Sequence, residues 1–368
     1  MGTKQNEKGV KACFACTTPY QLMGAISIVQ GLKLEADLYL FGMFPDYDRI
    51  AERLEKYHVF RRVISVDCTK FKSLSLVKAL WQTLNSRRAV SSFLPREAAY
   101  DVFYNSSRAH VKLLLRRELE RRNPELCFVT FEDGLGTYSA QSHELNSSRL
   151  RRLINIVLGW DSFKPSKTIM MVTHPELFEL PKRLKTVPIK KMPSVVGTEN
   201  NRRMFLDVFD AHEEDIIKER VILFDVTRGI YENDLDVETN LLDESYQMVV
   251  DKFSCNKVVC KPHPRSVVKT KVAVKEYIKT GIPVEILYAG MPDLEERVLI
   301  GTFSTALFTP KMMFDKEPTI ICLHKMVWPS NQKIPPVFEK LCTMYKRKDR
   351  IFAPENLNEL NTYLSKIK

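Results

Sequence analysis

Short apolar runs alternate with amphipathic segments along the chain. The runs are rich in β-branched residues, as buried strands are, and the segments between them carry apolar residues at helical spacing. Strands are predicted at residues 11–17, 36–41, 62–66, 100–104, 125–131, 168–172, 221–225, 257–261, 283–288, 298–302 and 319–323. Helices are predicted at residues 19–32, 47–57, 73–88, 110–122, 147–158, 200–210, 241–253, 303–313, 335–344 and 354–367. Strands that alternate with helices predict parallel sheets in a doubly wound α/β arrangement.

The chain is too long for one ordinary core, because at 368 residues two domains are expected. Residues 175–193 contain four prolines and several lysines without clean periodicity. We interpret this stretch as the connection between domains. The predicted domains are residues 1–190 and 191–368.

The net charge of +11 favours an anionic partner, which nucleic acid, an anionic membrane or a phosphorylated small molecule would satisfy equally. The eight cysteines lie mostly in apolar runs, as free thiols do in a reducing cytosol. No apolar run is long enough to span a bilayer, and the N-terminus lacks an apolar signal core. We therefore expect a cytoplasmic protein, or one held peripherally at a membrane from outside the bilayer.

One predicted strand ends in Lys261-Pro262-His263-Pro264-Arg265. The prolines stop the strand, so the chain must turn at His263. Open α/β sheets bind ligands at the carboxyl ends of their strands, which is where this imidazole is expected. A histidine between two cations is suited to holding a phosphate and to giving it a proton as it leaves. Taken alone, a His-Pro turn is more often only structural.

An acidic turn, Glu132-Asp133-Gly134, follows the strand predicted at residues 125–131. A carboxylate there could accept a proton from a sugar hydroxyl, and the glycine would let a substrate approach the backbone. Asp-Gly is also a common turn without any chemical role.

Two further patterns lie in the second half of the chain. Glu285 is predicted inside an apolar strand, where a buried acid needs a partner such as a ribose diol or a nearby cation. Phe303-Ser304-Thr305 opens a predicted helix, and its hydroxyls and free N–H groups could cradle a phosphate. Serine and threonine are also ordinary N-caps.

The loop at residues 226–238 carries Glu232, Asp234 and Asp236. Asp234-Leu235-Asp236 matches a pattern that binds a divalent ion and a nucleotide diphosphate in some glycosyltransferases, but a solvated acidic loop explains it as well. His174-Pro175 lacks the cationic neighbours of His263, and we assign it no chemistry.

The segment Cys16-Thr17-Thr18-Pro19-Tyr20-Gln21 spans the end of the first predicted strand, and its Thr18-Pro19 is typical of an N-cap and a first-turn proline that open the helix predicted at residues 19–32. Three further signals come just after predicted strands: Glu132-Asp133-Gly134, Lys261-Pro262-His263-Pro264-Arg265 and Phe303-Ser304-Thr305. Their order resembles that of the bacterial sialyltransferases, most closely the lipooligosaccharide sialyltransferase family numbered 52 among the glycosyltransferases. Related families that make polysialic acid and other sialosides share the acidic-Gly, His-Pro and Ser-Thr signals. The resemblance runs from about residue 11 to about residue 314.

The resemblance implies an α/β GT-B glycosyltransferase fold, with two Rossmann-like domains facing across a cleft. The N-terminal domain would lie on the acceptor side, and the C-terminal domain would bind the donor, CMP-sialic acid. Sialic acid would pass to a hydroxyl of a galactoside, in a lipooligosaccharide or another glycan, with inversion. No cofactor and no metal are expected, because a histidine and a helix N-terminus can stabilise a departing monophosphate.

The resemblance also implies roles for individual residues. His263 would be the general acid or phosphate partner, and Glu285 would bind the ribose. The other donor-binding residues would be Lys261, Pro264, Arg265, Phe303, Ser304 and Thr305, and those of the acceptor side or cleft Thr18, Tyr20, Gln21 and Gly134. Resemblance to the related families implies that the general base is Asp133 or Glu132. Resemblance to the closest family implies that it is Asp234.

Several alternatives stay open. Another transferase on the same fold could transfer a polysialyl, 3-deoxy-octulosonate or phosphoalcohol group. A basic nucleic-acid-binding α/β protein would explain the charge, but the cations are scattered and no RNA-binding module is recognisable, so nucleic acid is not expected as a partner. The basic surface could draw in the donor or dock on anionic lipid, through arginines at residues 113–122 and 148–152. The sequence leaves open the acceptor, the linkage and whether the chain forms a homodimer.

Overall fold

The computed structural model describes residues 10–71, 75–106, 109–138, 165–178, 186–193, 199–225, 239–263, 270–277, 281–302, 304–328 and 336–367. The chain divides into two compact units, Met1–Val195 and Val196–Lys368. Each unit contains a parallel β-sheet. The helix predicted at residues 147–158 lies outside the described residues.

Among the described residues, the sheet of the first unit has seven strands in the order β3-β2-β1-β4-β5-β6-β7. All neighbouring strands are parallel. The strands are β1 (Lys11–Cys16), β2 (Glu35–Phe41), β3 (Arg62–Val66), β4 (Val102–Asn105), β5 (Cys127–Phe131), β6 (Thr168–Val172) and β7 (Ile189–Lys191). The order reverses between β1 and β4, and the carboxyl ends at such a switch point border the usual ligand crevice of an open α/β sheet.

The helices of the first unit include α1 (Pro19–Leu32), α2 (Tyr47–Glu55), α3 (Leu76–Leu84), α4 (Ser86–Val90) and α5 (His110–Arg122). Helix α1 begins as predicted, because the Thr18 hydroxyl accepts a 3.2 Å hydrogen bond from the Gln21 backbone N–H and proline occupies the first turn. The single helix predicted at residues 73–88 is wrong. The backbone leaves the helical region at Asn85, with φ −107° and ψ 38°, and separates α3 from α4.

The connection predicted at residues 175–193 contains a strand that the sequence pattern did not indicate. Strand β7 pairs in parallel with β6, with Ile189 opposite Met170. It is only three residues long, two of them exposed lysines, so it has no apolar alternation to detect. Lysines are common on edge strands, where they discourage pairing with another chain.

Among the described residues, the sheet of the second unit has six strands, in the order of the first six strands of the other sheet. Its order is β10-β9-β8-β11-β12-β13, again with parallel neighbours. The strands are β8 (Val221–Phe224), β9 (Val258–Lys261), β10 (Lys275–Glu276), β11 (Val298–Gly301), β12 (Thr319–Cys322) and β13 (Ile351–Phe352). The switch point lies between β8 and β11, so ligand binding is expected at their carboxyl ends.

The second unit includes the helices α6 (Glu199–Val208), α7 (Thr239–Phe253), α8 (Val284–Gly290), α9 (Thr305–Phe314), α10 (His324–Val327), α11 (Pro336–Met344) and α12 (Leu357–Lys366). The strand predicted at residues 283–288 is wrong, because this segment forms α8. Short apolar runs are ambiguous between strand and helix. Glu285 therefore lies half-buried in the first turn of a helix and not inside a strand.

Helices pack on the sheets through buried apolar side chains. In the first unit, Tyr39 and Phe103 from the sheet belong to one cluster with Leu114 of α5. In the second, Val258 and Tyr246 join β9 to α7 in the same way. These cores fix the ends of β1, β5, β9 and β11, which carry the candidate chemical groups.

Candidate active site

Glu132 comes directly after β5 and is fully buried. Its Oε1 accepts a hydrogen bond from the Tyr20 hydroxyl at 2.5 Å, and its Oε2 accepts one from the Tyr138 hydroxyl at 2.6 Å. The backbone N–H of Thr173 donates to Oε2 at 2.8 Å, and the Thr173 hydroxyl donates to the same oxygen. The carboxylate thus ties the end of β5 to the first turn of α1 and to the residue after β6.

Asp133 is placed differently from its neighbour, because its side chain is only partly buried. Its Oδ2 accepts a hydrogen bond from Gln21 Nε2 at 2.8 Å, and its Oδ1 accepts a longer one from the Thr18 hydroxyl at 3.3 Å. Burial raises the pKa of Asp133, and the hydrogen bond from Gln21 and the charge of Lys112 oppose that rise. A carboxylate with a raised pKa is better matched to taking up a proton near neutral pH.

Gly134 makes the turn possible. Its φ is 71°, in the left-handed region that favours glycine. The backbone N–H of Asp133 donates to the Thr137 hydroxyl at 2.7 Å and anchors the other side of the turn. The resulting loop directs the backbone away from β5 while the Asp133 side chain stays against Gln21.

Hydrogen bonds hold both polar atoms of the Gln21 side-chain amide. Its Oε1 accepts hydrogen bonds from the Thr17 backbone N–H at 2.8 Å, the Thr17 hydroxyl at 3.0 Å and Lys112 Nζ at 2.9 Å. Three donors around one atom identify it as the oxygen, which leaves Nε2 to donate to Asp133. Gln21 itself is fully buried, so this orientation is held in the interior of the first unit.

Lys112 of α5 is a functional candidate that the sequence analysis missed. It is fully buried, and burial lowers its pKa to about 8, with the charges of Cys16 and Asp133 acting in the opposite direction. The expectation was a basic surface helix at residues 110–122. The signal that was present is the run Val111 to Leu115, where this lysine is the single polar residue in an apolar stretch.

In the second unit, Lys261 and His263 lie at the end of β9. Lys261 is buried, its Nζ is 5.1 Å from the ring centroid of Tyr277, and burial lowers its pKa to about 8 against the opposing charge of Glu285. His263 follows Pro262 and is exposed. The charge of Glu285 interacts with that of Lys261. Lys261 is thus a cationic partner of the kind predicted for Glu285.

Ser304 lies at the switch point of the second sheet, just after β11. It caps α9 with extended backbone angles, and its hydroxyl accepts a 3.3 Å hydrogen bond from the Ala306 backbone N–H. Tyr288 of α8 donates to the Ala306 carbonyl at 2.8 Å and holds this helix start in place. Thr305 is half-exposed at the first position of the helix. The first turn of a helix has N–H groups without helical partners, which suits an anionic group.

A small cavity adjoins the end of β9. Its volume is about 180 Å³, and its lining includes Asp225, Cys260, Pro262, Thr270 and Glu276. This is below the roughly 300 Å³ at which pockets for drug-sized ligands begin, so it can hold one ring of a larger molecule. The sequence analysis did not single out either carboxylate of this cavity, because Asp225 ends a strand and Glu276 lies in a two-residue one.

Several predicted residues lie outside the described part of the chain. These are Asp234 with its neighbours Glu232 and Asp236, and Pro264, Arg265 and Phe303. Within the described ranges, no group of three or more His, Cys, Asp or Glu side chains is arranged as a metal site would require. No described helix combines the length and apolar character needed to cross a bilayer.

Comparisons with known proteins identify the fold and the family that the chain is similar to. The sequence model of glycosyltransferase family 52 matches residues 47–324, about three quarters of the chain. No curated protein sequence matches significantly. The structure of TcCGT1 in complex with UDP matches with a TM-score of 0.52 and 9% identity over 98% of this chain and 91% of that one. The structure of LpCGTa in complex with UDP gives a TM-score of 0.50 and 7% identity over 98% and 90%. The predicted α/β fold of the GT-B class is confirmed.

Proposed function

Because the chain belongs to glycosyltransferase family 52, we propose that it transfers sialic acid from CMP-sialic acid to a hydroxyl of a galactoside, with inversion and without a metal ion. The acceptor is a lipooligosaccharide or another glycan. The observation that carries the proposal is the end of β9, where the buried cation Lys261 is the last residue of the strand and the exposed imidazole of His263 lies two residues beyond it.

The donor is assigned to the second unit. Its phosphate binds near the start of α9, where the Ser304 hydroxyl and the N–H groups of the first turn can donate to an anion. Lys261 supplies a positive charge to the same sheet edge, and Pro264, Arg265 and Phe303 belong to this group by the family resemblance. The cavity beside Pro262 suits the nucleoside, because the carboxylates of Asp225 and Glu276 can accept hydrogen bonds from hydroxyl and amino groups.

The general base is assigned to Asp133 rather than to Glu132. Glu132 is fully buried and its two oxygens accept hydrogen bonds from four donors, so it cannot reach an acceptor without losing them. Asp133 accepts one hydrogen bond from Gln21 and a longer one from Thr18. Asp133 is partly exposed, and burial raises its pKa, which brings it closer to the range of an effective base. Asp234, outside the described residues, is the alternative base. Thr18, Tyr20, Gln21 and Gly134 shape the acceptor side around Asp133.

The reaction is a single in-line displacement. Asp133 takes the proton from an acceptor hydroxyl, and the oxygen of that hydroxyl forms a bond to the anomeric carbon of sialic acid. The bond from that carbon to the phosphate oxygen of CMP breaks, and the electron pair leaves with the phosphate. His263 gives its proton to the phosphate, and Lys261 with the α9 N-terminus stabilises the charge that develops there.

A second candidate is transfer from a UDP-sugar, because both similar structures contain UDP. Thermal unfolding in the presence of CMP, UDP or GDP separates the two candidates, since the nucleotide that binds will raise the midpoint. The sialyl proposal expects protection by CMP and turnover of CMP-sialic acid with lactose in EDTA, with a product of inverted anomeric configuration. Protection by UDP alone would replace it with the second candidate.

A further inference from the structure

Helix α3 exposes apolar side chains and buries polar ones, which is the reverse of the usual arrangement in a surface helix. Val77, Leu80, Trp81 and Leu84 are 79%, 41%, 51% and 69% exposed. Their spacing places them on one sector of the helix, about 100° wide. Four of the eight large apolar side chains that are exposed in the described part of the chain thus lie on one nine-residue helix.

The opposite face of α3 is buried and polar. Gln82 donates to the Lys70 carbonyl at 3.3 Å and pairs with His110 at 3.1 Å, and the Thr83 hydroxyl donates to the Ala79 carbonyl at 2.8 Å. The two hydrogen bonds of Gln82 join α3 to Lys70 and His110 outside the helix, so they fix which face points inward. Turning the apolar stripe inward would break them.

The surroundings of the stripe are strongly basic. Residues 68–96 contain six lysines and arginines and no aspartate or glutamate, although the whole chain has 45 acids against 56 bases. Lys78 on α3 and Arg87 and Arg88 on α4 are exposed, and α3 packs against α4. An apolar stripe that contains tryptophan and is bordered by cations is the pattern of a helix that lies in the interface of an anionic bilayer.

We propose that the exposed face of α3, formed by Val77, Leu80, Trp81 and Leu84, docks the first unit onto a membrane of anionic phospholipid. The apolar side chains enter the boundary between headgroups and acyl chains, and Arg87 and Arg88 contact the phosphates. A second copy of the chain fits this face less well, because a symmetric contact would bring the same cations together. The sequence analysis considered membrane docking through arginines at residues 113–122 and 148–152, and α3 is a different surface.

Flotation with lipid vesicles tests this proposal. The wild-type protein will float with phosphatidylcholine vesicles that contain phosphatidylglycerol, and much less with phosphatidylcholine alone. Trp81→Gln combined with Leu84→Gln will weaken binding at least about tenfold, because both side chains lose their burial in lipid. The matched control, Leu32→Gln combined with Met43→Gln, changes two other exposed apolar residues and will bind as the wild type does.

The cations are tested separately. Arg87→Gln with Arg88→Gln will weaken binding about fivefold per residue, and added salt will weaken it further. Arg49→Gln with Lys56→Gln, an exposed pair elsewhere on the first unit, is the control. On addition of anionic vesicles, the fluorescence of the wild type will shift to the blue, and Trp81→Phe will lose most of that shift.

Three results would overturn the proposal. These are absence of binding to any vesicle, equal binding to neutral and anionic vesicles, and binding that the Trp81 and Leu84 substitutions leave unchanged. Sedimentation of the wild type as a dimer that the same substitutions convert to a monomer, without lipid binding, would assign the face to a second copy.

Discussion

Lys112 donates a 2.9 Å hydrogen bond from its buried ammonium group to the side-chain oxygen of Gln21. That bond helps to fix the amide, whose nitrogen donates to Asp133 at 2.8 Å. A lysine on α5 is thus connected through one glutamine of α1 to the carboxylate that we propose as the general base. Lys112 acts through Gln21 and through its charge, so it is a positioning residue.

Replacement of Lys112 by methionine tests this connection. The change removes a positive charge that lowers the pKa of Asp133, so the acidic limb of the kcat profile will move to higher pH. We also expect kcat to fall about tenfold or more, because the Gln21 amide loses one of the contacts that fix it. The donor KM will stay unchanged.

Arg117→Met, on the exposed side of the same helix, is the control for Lys112→Met. A Lys112→Met enzyme with the wild-type kcat and an unshifted acidic limb would show that the connection has no role in the reaction.

Loss of the negative charge is expected to lower the free energy of unfolding more at Glu132 than at Asp133. Glu132→Gln places an amide among four donors and will lower the free energy of unfolding by about 3 kcal/mol. Asp133→Asn will change it by less than about 1 kcal/mol. Tyr138→Phe, which removes one of the donors, will cost about 1–2 kcal/mol. Urea unfolding measures all three, and a Glu132→Gln protein that is as stable as the wild type but inactive would identify Glu132 as the base.

The lowered pKa of Lys261 predicts that binding of the donor depends on pH. Burial lowers its pKa to about 8, so the free enzyme loses this charge as the pH rises through that value. The affinity for CMP-sialic acid will therefore fall above about pH 8. Lys261→Arg will remove that fall, because arginine stays charged. Lys257→Arg, an exposed lysine just before β9, will keep it.

The same residue affects stability with the opposite dependence on pH. The folded pKa of Lys261 lies below the value of 10.5 for an unfolded lysine, so the unfolded chain binds more protons between about pH 8 and 10.5. The contribution of Lys261 to the free energy of unfolding therefore rises with pH across that window. Urea unfolding of the wild type and Lys261→Met between these values checks the sign, and a contribution that falls with pH would contradict the burial of a charged lysine.

Gly301 is required by the close approach of β11 to β8. A Cβ at this position would lie 2.8 Å from the Phe224 carbonyl oxygen, which belongs to the backbone and cannot move aside. Gly301→Ala is expected to destabilise the second unit by about 1–3 kcal/mol in urea unfolding. At Gly281 a Cβ would meet nothing within 4 Å, so Gly281→Ala serves as the control and will be neutral or slightly stabilising. Equal stability of the two variants would contradict this close approach of β11 to β8.

Much of the fold could be predicted from the sequence, because its strands are apolar runs bounded by turn residues. The start of α1 was predicted from Thr18-Pro19, and the start of α9 from the hydroxyls after β11. Strand β7 was missed because its lysines give no apolar pattern, and α8 was assigned as a strand because seven apolar-rich residues fit either structure. Local pattern contains no information about which of these alternatives the rest of the unit will stabilise.

The candidate site was predicted less completely than the fold. The sequence placed Glu132 and Asp133 together, but two adjacent carboxylates point in different directions after a strand, and only the contacts of Tyr20, Tyr138 and Thr173 distinguish them. Lys112 could not be linked to Gln21 because 91 residues separate them along the chain. Such pairs form only when α1 and α5 pack on the same sheet.

CMP release from CMP-sialic acid with lactose in EDTA is the most direct test of the central claim. We predict metal-independent turnover by the wild type and losses of about a hundredfold or more in His263→Ala and in Asp133→Asn. His212→Ala and Asp48→Asn, which change exposed residues of the same types, will retain activity. Full activity of Asp133→Asn alone would move the base to Asp234. Absence of both turnover and CMP binding, or full activity of His263→Ala, would contradict the account.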